Sequence, residues 1–239
     1  MSVPNYFTIV IIITNMLHIL RSKAFGLYFI SYLLIVGGLL MMILGFGSTI
    51  ISELDYYLDR MIGIKYTFSN NITDQKEDKS IFATLLEKEV NIKPVNQDFT
   101  IIIEKIGVNA PVIENISVVD EKEYFEALKH GVAQAKGKGL PGKPGNTFLF
   151  AHSSIEFWKM GPYATVFNQL RRLERWDDIY LVYKGEVYKY KVFYKHVVNG
   201  FDTKPYELDY THGSILTLQT CDPPGTTINR LIVRAYLVE

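Results

Sequence analysis

DIYLVYKGEVYKYKVFYKHVV (178–198) reads as two strands folded back on each other at Gly185. In the second arm Tyr188, Tyr190, Val192, Tyr194 and Val198 fall on one face, and Lys189, Lys191 and Lys195 on the other. Alternation of period two with one wet face is what an antiparallel sheet shows when one side packs on a core. Toward the C-terminus, SILTLQT (214–220) and LIVRAYLV (231–238) have the same short, β-branched character. Toward the N-terminus, FTIIIEKIGV (99–108), APVIENI (110–116) and TFLFA (147–151) do too. Two helices are expected among them. DEKEYFEALKHG (120–131) has Asp120 and Glu123 spaced as a capping box and Gly131 as its stop, and YATVFNQLRRL (163–173) is read as a short helix. AKGKGLPGKPGN (135–146) is a glycine- and proline-rich loop. Seven or eight short strands with turns between them predict a mainly β domain, a closed barrel with short helices, over residues 99–239.

The chain of 239 residues has room for one average domain and an appendage. Basic and acidic residues number 25 each, a balance that lacks the positive excess of a nucleic-acid binder. One cysteine excludes an internal disulfide and any multi-cysteine metal centre. No metal and no cofactor is expected.

The appendage is apolar. Residues 24–52 carry no charge and are long enough to cross a hydrocarbon layer, which takes roughly 20 helical residues. Arg21 and Lys23 precede the span, and Glu53, Asp55 and Asp59 follow it. The positive-inside rule then puts residue 23 in the cytoplasm and residue 53 outside. No small-residue cleavage site ends the span, so it is expected to stay as an uncleaved anchor in the bilayer. Residues 1–23 include YFTIVIIITNMLHIL (6–20), which is open to three readings: a short additional span, an interfacial segment, or an extension ahead of a start at Met16. Residues 53–98 read as a stalk, with a polar linker SNNITDQKEDK (69–79) and a short helix SIFATLLEKEV (80–90) ended by Pro94. A fragment starting near residue 80 is therefore expected to fold without a membrane.

Chemistry concentrates at strand ends. Cys221 follows SILTLQT, the eight residues DPPGTTIN (222–229) come next, and Arg230 then opens the strand LIVRAYLV. If the two strands pair antiparallel, thiol and guanidinium face each other across the mouth of one loop. His152 follows the strand TFLFA. A thiolate is the attacking form of cysteine and a nearby cation favours it; histidine moves protons near neutral pH; arginine holds carbonyl oxygens and a developing oxyanion. Taken singly, each has a plainer role as a buried thiol, a structural histidine or a surface arginine.

TLQTC (217–221) followed by Arg230 resembles the signature of the sortases, bacterial cysteine transpeptidases. NTFLFAHSS resembles the strand carrying that family's histidine, IEKIGVNAPVIENI its first two strands, LKHGVAQAKGKGLPGKPGN the segment before the histidine, and RLIVRAYLVE its closing strand. The resemblance covers about residues 99–239, and the N-terminal anchor suits it. It implies a sortase-like barrel with Cys221 as nucleophile, His152 as general acid/base and Arg230 as the substrate-positioning and oxyanion-stabilising group. Thr220 is a weaker candidate for a polar contact to substrate. The implied partners are secreted proteins bearing a sorting signal like Leu-Pro-x-Thr-Gly, an amine nucleophile from a cell-wall precursor or a pilin lysine, and the lipid bilayer, with no nucleic acid. The implied location is the bacterial cytoplasmic membrane with the catalytic domain outside. Ala151 and Ser153-Ser154 depart from the family's habits around the histidine, and no aspartate-aromatic lid motif is evident in the stalk. The sortase class and the sorting motif are not legible, although the loop NGFDTKPYELDYTHG (199–213) is expected to govern the latter. The rival reading is a catalytically silent, membrane-tethered binding module on the same barrel; intact Cys221, His152 and Arg230 argue against it.

Overall fold

The computed structural model describes residues 6–68, 88–153, 162–207 and 213–238. Helix α1 runs from Tyr6 to Ile62. Within it Phe25–Gly47 is long and apolar enough to cross a membrane, and none of its residues is buried by protein. The chain divides into two compact units, Met1–Leu44 and Gly45–Glu239. In the second unit α1 continues past the uncharged stretch to Ile62. Strand β1 (Ile64–Phe68) follows and pairs in parallel with β2 (Lys88–Ile92). The helix expected over 80–90 thus meets a strand at its described end: Lys88, Glu89 and Val90 pair with β1. Residues 80–87 and the polar linker lie outside the described residues.

The barrel has eight strands: β3 (Phe99–Ile103), β4 (Val108–Ile116), β5 (Val132–Ala135), β6 (Gly145–Phe150), β7 (Asp178–Tyr183), β8 (Glu186–Asn199), β9 (Ser214–Asp222) and β10 (Asn229–Leu237). They close in the order β10-β8-β7-β3-β4-β5-β6-β9. Two neighbouring pairs, β4 with β5 and β6 with β9, are parallel, and the others are antiparallel. The parallel β4–β5 pair needs a crossover, supplied by α2 (Glu121–His130). Asp120 caps α2 by accepting from the backbone N–H of Lys122 and Glu123, both at 3.1 Å. Glu123 completes the cap three residues further out than expected: its carboxylate accepts from the N–H of Ser117, not of Asp120. Gly107, at φ 63°, turns β3 into β4 where a β-carbon would lie 2.8 Å from the Tyr66 ring, so both conformation and space call for glycine.

The interior is filled by Ile101, Ile103, Leu149, Leu181, Tyr190, Leu216, Leu218 and Val233 and their neighbours. A smaller cluster of Ile92, Ile102 and Val182 lies on the outer side of β3 and β7, covered by Tyr66 and Phe68 of β1.

Two expectations change. Residues 163–173 form successive tight turns, with a 3-10 helix only at Leu170–Arg172. The N–H groups of Val166, Asn168, Leu170 and Arg172 each reach three residues back. The buried apolar residues fit it: Ala164, Phe167, Leu170 and Leu173 recur every third position, the repeat of a 3-10 helix and not the 3.6 of an α-helix. In β8, the alternation read from sequence breaks. Opposite β10, pairing passes from Val192↔Ala235 directly to Tyr194↔Arg234, leaving Phe193 as a bulge. Tyr194 therefore turns outward, 40% exposed, and Lys195 takes the side of its partner Val233. Its ammonium donates to the carbonyls of Arg171 (2.8 Å) and Leu173 (2.7 Å). Val198 now stands on the outer face opposite Arg230.

Candidate active site

Register places the three chemical residues. Cys221 on β9 pairs directly with Arg230 on β10, so both side chains share one face. On the other side of β9, β6 runs in parallel with Phe150 beside Gln219. The same register carried two residues further sets His152 beside Cys221. The core-facing residues of β9 are Leu216 and Leu218, so Thr220 continues inward and Cys221 points outward. Thiol, imidazole and guanidinium thus stand on three adjacent strand exits of the barrel's outer face, with the thiol in the middle.

The supports are backbone and hydroxyl contacts. Ala151 N–H donates to Gln219 O (3.2 Å), and the Thr220 hydroxyl donates to Ala151 O (3.1 Å). Thr220 is 4% exposed, and its hydroxyl ties the cysteine strand to the histidine strand. Gly225 N–H donates to Ser153 O (2.7 Å), fastening the β9–β10 loop to the histidine segment. Arg230 Nη1 donates to Thr227 O and Asn229 O, each at 3.1 Å. Those bonds engage one nitrogen of the fork and leave Nε and Nη2. Among the described residues no carboxylate pairs with Arg230. Gly200 N–H donates to Ile228 O (3.0 Å). A β-carbon on Gly200 would lie 2.7 Å from that oxygen and 3.3 Å from Arg230 Nη1, so any side chain there would press on the guanidinium. Phe201 (95% exposed) and Ile228 (65% exposed) put apolar surface on the two loop tips beside Arg230.

Electrostatically the resting site is neutral apart from the guanidinium. Burial pushes the Cys221 thiol up, against the pull of Arg230 and of the neighbouring Ser153 hydroxyl. That hydroxyl lies beside the thiol without meeting the geometry of a hydrogen bond. Burial pushes the His152 imidazole down. Near neutral pH both shifts favour thiol plus neutral imidazole over thiolate plus imidazolium. His152 Nε2 is covered and finds no hydrogen-bond partner among the described residues. Its ring packs on Phe125 of α2, centroids 5.0 Å apart, and Tyr124 meets it edge-on at 6.3 Å.

Sequence reasoning singled out Cys221, His152 and Arg230, which the strand register brings to one face. It registered Ser153 only as a departure from the family's habit, and missed Tyr124 and Phe125. Their signal was weak: an aromatic pair in the N-terminal half of an amphipathic helix looks like ordinary core.

A sortase-domain family model matches residues 101–238, from β3 to the end of β10 and including all three residues. The chain belongs to the sortase family. That is a family of cysteine transpeptidases, and the mainly β eight-stranded barrel is the sortase fold. Among solved structures, sortase A from Corynebacterium diphtheriae, a lid mutant, is 29% identical with a TM-score of 0.50, covering 60% of this chain and 71% of that one. Sortase C-1 from Actinomyces oris is 26% identical with a TM-score of 0.50, covering 61% of this chain and 76% of that one. A pilus-related sortase C of Group B Streptococcus, at 24% identity and a TM-score of 0.50 over 70% of this chain and 77% of that one, shares the fold. Sortases of classes A and C are thus similar to the chain to much the same degree, and its own class stays undetermined. No curated protein matches the chain.

Proposed function

We propose that this sortase is a membrane-anchored cysteine transpeptidase. It cleaves a sorting signal near the C-terminus of secreted proteins and transfers them to an amine. The observation that carries the reading is the register of β6, β9 and β10, which puts an outward thiol between an imidazole and a guanidinium whose hydrogen bonds to the described residues engage Nη1 alone. Cys221 Sγ attacks the scissile carbonyl carbon as its proton passes to His152. Arg230, through Nε and Nη2, steadies the oxyanion. His152 then returns the proton to the leaving amine, the C–N bond breaks and a thioester remains. An incoming amine, from a cell-wall precursor or a pilin lysine, attacks the thioester and releases the enzyme; water in its place gives hydrolysis. Apolar Phe201 and Ile228 beside Arg230 support a peptide ligand with an apolar residue ahead of the scissile bond, as in Leu-Pro-x-Thr-Gly. The apolar segment Phe25–Gly47 supports an anchor in the cytoplasmic membrane, with the barrel outside.

The test is incubation with a sorting-signal peptide and an amine, read by mass spectrometry. Wild type is expected to form a thioester adduct and transfer product. Cys221→Ala abolishes both. Arg230→Lys keeps the charge but not the planar fork, and loses on the order of 10²–10³ in rate. His152→Ala loses roughly 10²–10⁴. Cleavage by Cys221→Ala would end the reading; a near-wild-type Arg230→Lys would return Arg230 to a structural role.

A further inference from the structure

Beyond the three strand exits, one element closes on the site from outside the barrel wall. The N-terminal half of α2 lays Phe125 against the His152 ring at 5.0 Å with an interplanar angle of 35°. Tyr124 stacks on Phe125 at 4.9 Å and 26°, meets His152 edge-on at 6.3 Å and touches Phe150, just before the histidine, at 6.5 Å. The Tyr124 phenol is also near enough to Arg230 to feel its charge. The helix is held in place from both ends of this contact. Asp120 and Ser117 cap its start, and Ala127 and Leu128 bury its next turn in the core.

We propose that Phe125, backed by Tyr124, is a positioning residue for the transpeptidation step: it holds the His152 imidazole at the thiol and keeps it dry. The proposal rests on the reading of His152 as the proton-transfer group. The need for such a part is physical. Among the described residues none hydrogen-bonds His152 Nε2 to fix its ring, and the aromatic packing is what they offer to set its orientation. An imidazole with only one strand behind it would swing about χ1 and χ2, and a misplacement of about 1 Å can cost on the order of 10²-fold in rate. The aromatic faces do a second job. Among the described residues the titratable and charged groups around this contact are Tyr124 on α2, which Glu121 and Arg230 reach electrostatically, Cys221 on β9, Arg230 on β10 and the Ser153 hydroxyl beside His152 in sequence. Burial is nevertheless what moves its proton affinity, and it moves it down. Removing the ring lets water reach the imidazole and brings that affinity back up.

The experiment uses the full chain in detergent micelles, with histidine labelled by ¹³C and the His152 resonance assigned through His152→Gln. Phe125→Ala and Phe125→Val remove the ring, and Phe125→Tyr keeps it. In both ring-less variants the His152 titration midpoint is expected to rise, kcat for the sorting-signal peptide to fall roughly 10- to 100-fold, and KM to stay within about twofold. Phe125→Tyr is expected to restore wild-type titration and kcat. If the alanine variant does not fold, the valine variant carries the test. An unmoved His152 midpoint in a folded ring-less variant overturns the proposal, as does a midpoint displaced as far in Phe125→Tyr. The titration separates this proposal from the functional reading beneath it. If wild type cleaves no sorting-signal peptide, the assignment of activity fails while the midpoints still report whether Phe125 holds His152.

Discussion

Cys221 carries two opposed influences: burial raises its proton affinity, and Arg230, its partner across the strand pair, lowers it. Removing the cation leaves burial unopposed, so the thiol midpoint rises. In Arg230→Met the rate of labelling by a thiol-reactive probe, which follows the thiolate fraction, is therefore expected to rise at higher pH than in wild type and to be slower at pH 7. Each unit of displacement corresponds to about 1.4 kcal/mol. An unchanged labelling curve would show that the guanidinium does not act on the thiol. The residue types at this site were legible in sequence because TLQTC, the later arginine and the histidine after TFLFA are short, local patterns. What could not be read was the direction in which each group's proton affinity moves, because desolvation sums over neighbours remote in the chain, including Phe125 and Tyr124 on the crossover helix.

At the scale of elements, the region read as a stalk contributes folded structure. Ser52 accepts from Asn168 (3.1 Å) at its hydroxyl and from Gln169 (3.1 Å) at its carbonyl. Glu53 forms ion pairs with Arg171 (3.2 Å) and Arg172 (2.9 Å). Asp59 accepts from the Tyr66 hydroxyl (2.7 Å), which helps burial push that phenol up to about 12. Tyr66 and Phe68 then cover Ile102 and Val182. A fragment from residue 80 keeps the whole barrel core and is expected to fold, but it lacks this cover. Urea unfolding is expected to put it about 2–4 kcal/mol below a fragment from residue 52, the worth of two partly buried aromatic side chains. Equal stabilities would mean that β1 packs without contributing. The sequence hid this because β1 has five residues and its partner β2 lies beyond a long intervening segment, and no local periodicity announces a pairing at that distance.

For the whole molecule, Arg21 and Lys23 before the apolar segment and acids after it set an outward catalytic domain as the expected topology. Protease added to intact spheroplasts is expected to digest the chain beyond about residue 53; full protection of the barrel would reverse the orientation and remove the envelope role. The sequence by itself determined the apolar segment, the mainly β character and the capped helix α2, and it singled out the three candidate residues. Each follows from spacing within a few residues, where strand alternation, helix capping and side-chain chemistry act. Tertiary structure alone decided the closure order of the barrel, the bulge at Phe193 that moved Val198 to the outer face, the three-residue repeat that made 163–173 a run of tight turns, and the seating of α2 against His152. These depend on pairing and burial between segments far apart in the chain. There the free energy is a sum of many small contacts, and no single stretch of sequence contains both partners.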